Sequence, residues 1–131
     1  MVTYKVNEYP NISEVIALYD DAELRRPTDD MERIERMYAH SNLIVTAWDE
    51  HLLVGVARSV TDFSYCCYLS DLAVRKAYQR QGVGKELLAL TKAQVGDEAM
   101  LLLISAPDAL GFYPKMAMQE AKNGFFMART K

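Results

Sequence analysis

The stretch from Tyr65 to Ile104 constrains the fold more than any other part of the chain. It opens with a strand candidate, Tyr65–Val74, continues through a charged loop, and enters a helix running from Gly82 to about Gln94. Val83, Leu87, Leu88, Leu90 and Thr91 recur at helical spacing and mark the inner side of that helix. Ala99-Met100-Leu101-Leu102-Leu103-Ile104 is then continuous apolar sequence between polar turns, which fits a strand buried on both faces. Two strands joined through one helix run parallel, with a right-handed crossover. The run is therefore a β-α-β unit, and any sheet that also contains hairpins becomes a mixed sheet.

Upstream, residues 2–8 alternate as a first strand. Ile12, Val15, Ile16, Leu18 and Tyr19 follow at helical spacing, and that helix ends near Asp21–Leu24. Arg25-Arg26-Pro27-Thr28-Asp29-Asp30 is a polar loop, in which Thr28 or Asp29 can cap a second helix with Met31, Ile34, Met37 and Tyr38 on its apolar face. Leu43–Trp48 and Leu52–Ala57, turned at Asp49-Glu50-His51, read as an apolar hairpin, and Asp62-Phe63-Ser64 is the next turn. Downstream, a short helix is predicted from Pro107-Asp108 to about Lys115. Strands around 118–121 and 125–128 follow, turned at Lys122-Asn123-Gly124. The order is β-αα-βββ-α-β-α-ββ: an antiparallel meander plus a crossover, an α+β class with helices on both faces of one mixed sheet. The 131 residues suit one domain, 1–131.

The balance of 15 basic against 18 acidic side chains, net −3, offers no global positive field for nucleic acid or anionic lipid. No apolar run reaches the roughly 20 residues that cross a bilayer, and Met1 leads directly into a strand, so a cytoplasmic protein with no membrane association is expected. Cys66 and Cys67 are adjacent, point to opposite faces of a strand and should not pair. His40 and His51 are isolated, and no metal site is expected.

The chemistry concentrates between Asp71 and Leu88. Gly82 and Gly84 stand where a loop becomes a helix, so no side chain covers the first free N–H groups and the positive end of the helix dipole. Arg75, Lys76, Arg80 and Lys85 add local positive charge, which suits a phosphate or pyrophosphate. Two common phosphate motifs are excluded. A dinucleotide G-x-G-x-x-G needs glycine at Leu87, and a P-loop needs glycine at Gln79 with Ser or Thr at Glu86.

The pattern that fits is Q/R-x-x-G-x-G/A, here Gln79-Arg80-Gln81-Gly82-Val83-Gly84, preceded by the strand Leu69–Val74. This resembles the coenzyme A-binding core of the GNAT family of N-acetyltransferases. Ala109-Leu110-Gly111-Phe112-Tyr113-Pro114-Lys115 resembles that family's A-x-x-F-Y-x-K helix, and the order of elements agrees from about residue 2 to 129. The resemblance implies acetyl-coenzyme A as cosubstrate, with no metal. Backbone N–H groups from about Gln81 to Lys85, in the motif Gln79, Arg80, Gln81, Gly82, Val83, Gly84 and Lys85, would hold the pyrophosphate. The pantetheine arm would lie along Leu72, Ala73 and Val74 like an added strand.

On the same resemblance the backbone N–H near Leu72 would contact the oxyanion, and Tyr113 would protonate the leaving thiolate. Some family members carry Glu four residues before the position of Leu72, where this chain has Tyr68. Asp71 is then a candidate base, acting directly or through water, with an equal claim as a hydrogen-bonding strand-end residue. The chain also departs from the family at Lys115-Met116-Ala117-Met118, where K-x-G-F is usual, and at Ala106, where Asn often contacts the coenzyme. The implied reaction is acetyl transfer to a primary amine of a small molecule or peptide, by direct attack in a ternary complex. A non-catalytic acyl-coenzyme A sensor or interaction module is the alternative.

Acceptor recognition is expected from the first two helices and nearby strand ends, with Arg25, Arg26 and Asp62 as candidates. The arginines would suit a carboxylate or phosphate, whereas Asp29, Asp30 and Asp62 would suit a polyamine or lysine. A C-terminal strand at Gly124–Ala128 would leave an edge, with Phe125-Phe126, that a second copy could cover in a homodimer.

Overall fold

A computed structural model describes residues 1–131. The elements are β1 (Val2–Val6), α1 (Ile12–Ala22), α2 (Met31–Ala39), β2 (Leu43–Asp49), β3 (Leu52–Thr61), β4 (Cys66–Val74), α3 (Val83–Val95) and β5 (Met100–Leu102). They form one five-stranded mixed sheet in the order β1-β2-β3-β4-β5, antiparallel except for the parallel pair β4–β5. The α+β class, the meander and the crossover are as the sequence predicts.

Helices cover both faces, which is why β2 reads as nearly unbroken apolar sequence and buries Leu43 through Ala47. On one face Val83, Leu87, Leu88 and Val95 of α3 pack on Leu43, Val45, Ala47, Val54, Ala57, Cys67 and Leu69. On the other, Val15, Leu18 and Tyr19 of α1 and Ile34 and Tyr38 of α2 pack on Ile44, Leu53, Val56 and Ala73. Each fully buried Val, Leu or Ile side chain contributes about 1.5–3 kcal/mol of transfer free energy.

Two irregularities shape the sheet. In the β2–β3 ladder Ala47 pairs with Gly55 but Trp48 pairs with Leu53, so Val54 is an extra residue. Both Val54 and Gly55 consequently face α3, and a Cβ on Gly55 would stand 3.0 Å from Leu87 Cδ1. In the β3–β4 ladder Arg58 pairs with Asp71 but Ser59 pairs with Leu69, leaving Ser70 as a bulge. The bulge reverses the alternation of β4: Cys67 and Leu69 face α3, whereas Asp71 and Ala73 face the α1/α2 layer.

Several predicted boundaries move. The first strand stops at Val6 because Asn7 turns left-handed (φ +57°). The second helix is capped by Asp30, not Thr28 or Asp29: its Oδ1 accepts from Arg33 N–H at 3.1 Å, while the Thr28 hydroxyl donates to Asp20. The predicted helix from Pro107 to about Lys115 is two short 3-10 turns, Pro107–Ala109 and Pro114–Met116. Pro114 has no N–H to continue a helix, and Gly111 weakens it from within.

The strands predicted at 118–121 and 125–128 do not form, although the Lys122-Asn123 turn between them does. Phe125-Phe126-Met127 is apolar without alternation, so no face is specified for a ladder, and all three are strongly exposed. The C-terminal edge strand that a second copy could cover is thus absent.

Candidate functional site

The parallel pair β4–β5 is short. Cys66, Cys67 and Tyr68 pair with Met100, Leu101 and Leu102, and beyond these residues the two strands diverge. From Leu69 to Val74 the β5-side edge of β4 has no strand partner. The divergence opens a cleft of ≈ 900 Å³. One wall is β4, with Tyr68, Leu69, Ser70 and Leu72; another is Leu103 to Ala109 together with Tyr113; the loop after α1 contributes Leu24, Arg25, Arg26 and Pro27.

Beside the end of β4 lies the start of α3. Gly82 occupies the N-cap position with φ +86°, where a Cβ would be strained, and no side chain caps the helix. None of the N–H groups from Gln81 to Lys85 donates a backbone hydrogen bond of normal geometry, so they form an unclaimed row of donors. Arg80 holds the loop in a left-handed conformation (φ +63°), uncommon for a non-glycine residue. Gln79 ties the loop to the strand, its Nε2 donating to the Val74 carbonyl at 2.9 Å, and Gln81 Nε2 donates to the Ala77 carbonyl at 3.0 Å.

Of the four basic side chains around this loop, two are committed elsewhere. Arg75 donates to the Leu53 carbonyl at 2.8 Å and Lys76 pairs with Glu23. Arg80 and Lys85 are exposed and form no ion pair. The end of the Phe112 ring would lie 3.4 Å from a Cβ on Gly84, so the missing side chain lets the Phe-Tyr segment approach the helix start.

Asp71 does not line the cleft. It is completely buried, and both carboxylate oxygens are taken: Oδ1 accepts from Arg26 Nε at 2.6 Å, and Oδ2 from Arg58 Nε at 2.6 Å and the Tyr19 hydroxyl at 2.7 Å. Burial pushes its pKa up, but hydrogen bonding and charge from Arg58, then the charge of Arg26, outweigh it and hold the carboxyl below its usual range. The same guanidinium groups fix the bulge. Arg26 Nη2 donates to the Ser70 carbonyl at 2.7 Å, and Arg58 Nη2 to Ser70 Oγ at 3.0 Å. Such a carboxylate is a hub of positioning bonds and a poor proton acceptor. Its neighbour Tyr19 also bonds the Tyr38 hydroxyl at 2.7 Å.

Tyr113 lines the cleft and is half-buried. Its ring stands edge-on to Phe112, centroids 5.0 Å apart. Burial raises its pKa, so the hydroxyl stays protonated at neutral pH. The turn after it survives the replacement of the family's glycine, because Ala117 itself adopts the left-handed conformation (φ +61°). Of the remaining candidates, Leu72, Arg25 and Arg26 line the cleft, Val74 is half-buried near Gly84, and Ala73 is buried against the α1/α2 layer.

Asp62 is not brought to this place. It sits beyond the opposite end of β4, about 20 Å of strand away from Leu72. Its Oδ1 accepts the N–H groups of Ser64, Tyr65 and Cys66, and these bonds hold its carboxyl far below the usual range. Its role is to close its own turn. Cys66 and Cys67 are unpaired, the first exposed and the second buried on the α3 side.

The sequence reading missed Arg58 and Tyr19, the partners of Asp71. Arg58 had a signal: it is the one charged residue inside the apolar run of β3, and a charge there demands a buried partner. Arg33 and Arg129, which also line the cleft, had none. No group of three or more His, Cys, Asp or Glu is arranged to hold a metal, and no helix is long and apolar enough to cross a membrane.

A meander whose last antiparallel strand parts from a parallel neighbour, beside a glycine-capped helix, is the architecture of an acetyltransferase-type domain. The chain belongs to the GNAT family: the model described as the acetyltransferase (GNAT) domain matches residues 16–127. It is 26% identical over 111 residues to the uncharacterized N-acetyltransferase ycf52 of Gracilaria tenuistipitata var. liui. The match covers 82% of this chain and 61% of that protein, so the chain spans less than two thirds of its relative. Among solved structures, the GNAT-family acetyltransferase SP0256 of Streptococcus pneumoniae TIGR4 superposes with a TM-score of 0.80. It is 26% identical, with 98% of this chain and 99% of that chain covered. Aminoglycoside N-acetyltransferase AAC(6')-Iy, in complex with CoA, has the same fold at a TM-score of 0.74 and 14% identity, covering 100% of this chain and 96% of that one.

Proposed function

We propose that this chain transfers the acetyl group of acetyl-coenzyme A to a primary amine of a small molecule or peptide, by direct attack in a ternary complex. The observation that carries the reading is the split between β4 and β5, with unclaimed N–H donors at one end and Tyr113 on its wall. The structural likeness to an aminoglycoside acetyltransferase in a CoA complex supports the same donor.

The row of N–H groups from Gln81 to Lys85 binds the pyrophosphate, aided by Arg80 and Lys85. The free edge of β4 from Leu72 to Val74 takes the amide-bearing arm as a further strand, using main chain, which is why apolar residues serve as binding residues. The arm directs the thioester into the cleft. The neutral amine attacks the thioester carbonyl, the C–N bond forms, and the N–H near Leu72 stabilises the oxyanion. As the C–S bond breaks, Tyr113 gives its proton to the sulfur. The proton lost by the amine leaves through water and restores the tyrosine.

Asp71 has a different task from proton abstraction. It neutralises Arg26 and Arg58, and through them holds the Ser70 bulge and the loop after α1 against the strand that receives the donor. That leaves the first proton transfer to water beside Ser70.

A thiol-release assay over amino acids, amino sugars, polyamines and peptide N-termini, with longer acyl donors included, tests the reading. Tyr113→Phe should lower kcat by about 10²–10⁴-fold while the KM for acetyl-coenzyme A changes little. Unchanged turnover at every pH removes Tyr113 from the chemistry. Tight binding of acetyl-coenzyme A without thiol release from any amine returns the chain to the class of acyl-coenzyme A sensors.

A further inference from the structure

The sequence left two acceptor chemistries open, an anionic amine served by Arg25 and Arg26 or a polycation served by Asp29, Asp30 and Asp62. The structure separates them. All three aspartates lie outside the cleft: Asp30 caps α2, Asp62 closes its own turn, and Asp29 is exposed to solvent. Arginines line it instead. Arg25, Arg26, Arg33, Arg58 and Arg129 face two acids, Glu23 and Asp108, in a protein whose 18 acidic residues outnumber its 15 basic ones.

Most of the negative charge near these arginines is already used. Asp71 serves Arg26 and Arg58 together, and Glu23 pairs with Lys76 outside the lining. Arg25 and Arg129 form no ion pair and no side-chain hydrogen bond, whereas the Arg33 guanidinium is engaged, its Nη2 donating to the main-chain oxygen of Lys131 at 3.1 Å. The excess is also distinct from the pyrophosphate cradle, since no residue from Gln79 to Lys85 lines the cleft.

We infer that the acceptor is an amine carrying a carboxylate or phosphate, which the unpaired guanidinium groups of Arg25 and Arg129 recognise while its amine points toward Tyr113. The inference rests on the acetyltransferase reading above and names its substrate class. Guanidinium presents a planar pair of donors that matches both anions. A polyamine entering the same cleft meets like charge and finds only Asp108 unpaired.

Matched pairs of amines test it, with initial rates of thiol release from acetyl-coenzyme A: phenylalanine against phenylalaninamide, glucosamine 6-phosphate against glucosamine, and spermidine as the polycation. The anionic member of at least one pair should exceed both its partner and spermidine by about tenfold or more in kcat/KM, the worth of one charge-assisted bond. The pair that responds says whether carboxylate or phosphate is read. Arg25→Ala and Arg129→Ala should erase that preference through the KM for the acceptor, leaving the KM for acetyl-coenzyme A unchanged. Preference of the wild-type protein for spermidine or for the neutralised partners overturns the inference and leaves acetyl transfer standing. No release from any amine, with acetyl-coenzyme A still bound, overturns both.

Discussion

Asp71 shows how much one buried carboxylate organises. Its two oxygens gather Arg26 from the loop after α1, Arg58 from β3 and Tyr19 from α1. Asp71→Asn would leave two guanidinium groups facing each other without a counter-charge, a loss of about 3–5 kcal/mol measured by urea unfolding at neutral pH. The folded pKa of Asp71 lies below the unfolded value of about 3.9, so its contribution is complete above about pH 4 and declines as pH falls through the folded value. The acid limb of the stability profile should therefore flatten in the Asn variant. Ala117 makes the opposite case, a residue the fold tolerates at a cost: Ala117→Gly removes a side chain from a left-handed position and should raise stability by about 1 kcal/mol in the same experiment. Which residues mattered was partly legible. The motif singles out Tyr113, which the structure brings to the cleft, and Gly82, which it puts at the N-cap of α3, but the two roles open to Asp71 could not be separated in the sequence because its partners lie 13, 45 and 52 positions away along the chain.

Among the elements, the loop and first turn of α3 carry the donor site of the proposed function. Gly82→Glu would place a strained side chain and a negative charge among the donors of that turn. The wild-type protein at acetyl-coenzyme A about 100-fold above its dissociation constant should gain roughly 2.7 kcal/mol in thermal unfolding, and the variant should gain almost nothing at the same concentration. An equal gain in both proteins removes α3 from the donor site. This element was readable because strand, glycines and helix are contiguous, so local spacing carries the information. The same holds for the β2–β3 hairpin and for both α1 and α2. The bulges were not readable. An extra residue at Ser70 depends on which β3 residue stands opposite, and that pairing decides that Asp71 faces α1 instead of α3. The tail failed for a related reason, because a strand after Met118 needs an edge to pair with, and β5 provides only Met100–Leu102.

Across the whole molecule, the two helical layers impose different duties on the two faces of the sheet. The α3 face buries no charge and holds the buried hydroxyls of Ser59 and Thr91 among its apolar residues, while the α1/α2 face adds a polar seam of Tyr19, Tyr38, Arg58 and Asp71 beneath the cleft. The parting of β4 from β5 also sits where the seam ends. From Leu69 onward β4 is a rail with one side fastened and the other without a strand partner, and in the proposed function that second side receives a ligand that carries its own amide groups. The protein alone is then a frame missing one slat. In the proposed function the donor's arm would fill that gap, join the sheet's hydrogen-bond lattice and couple β4 to β5, so its residence time would set how long the two halves of the molecule move as one.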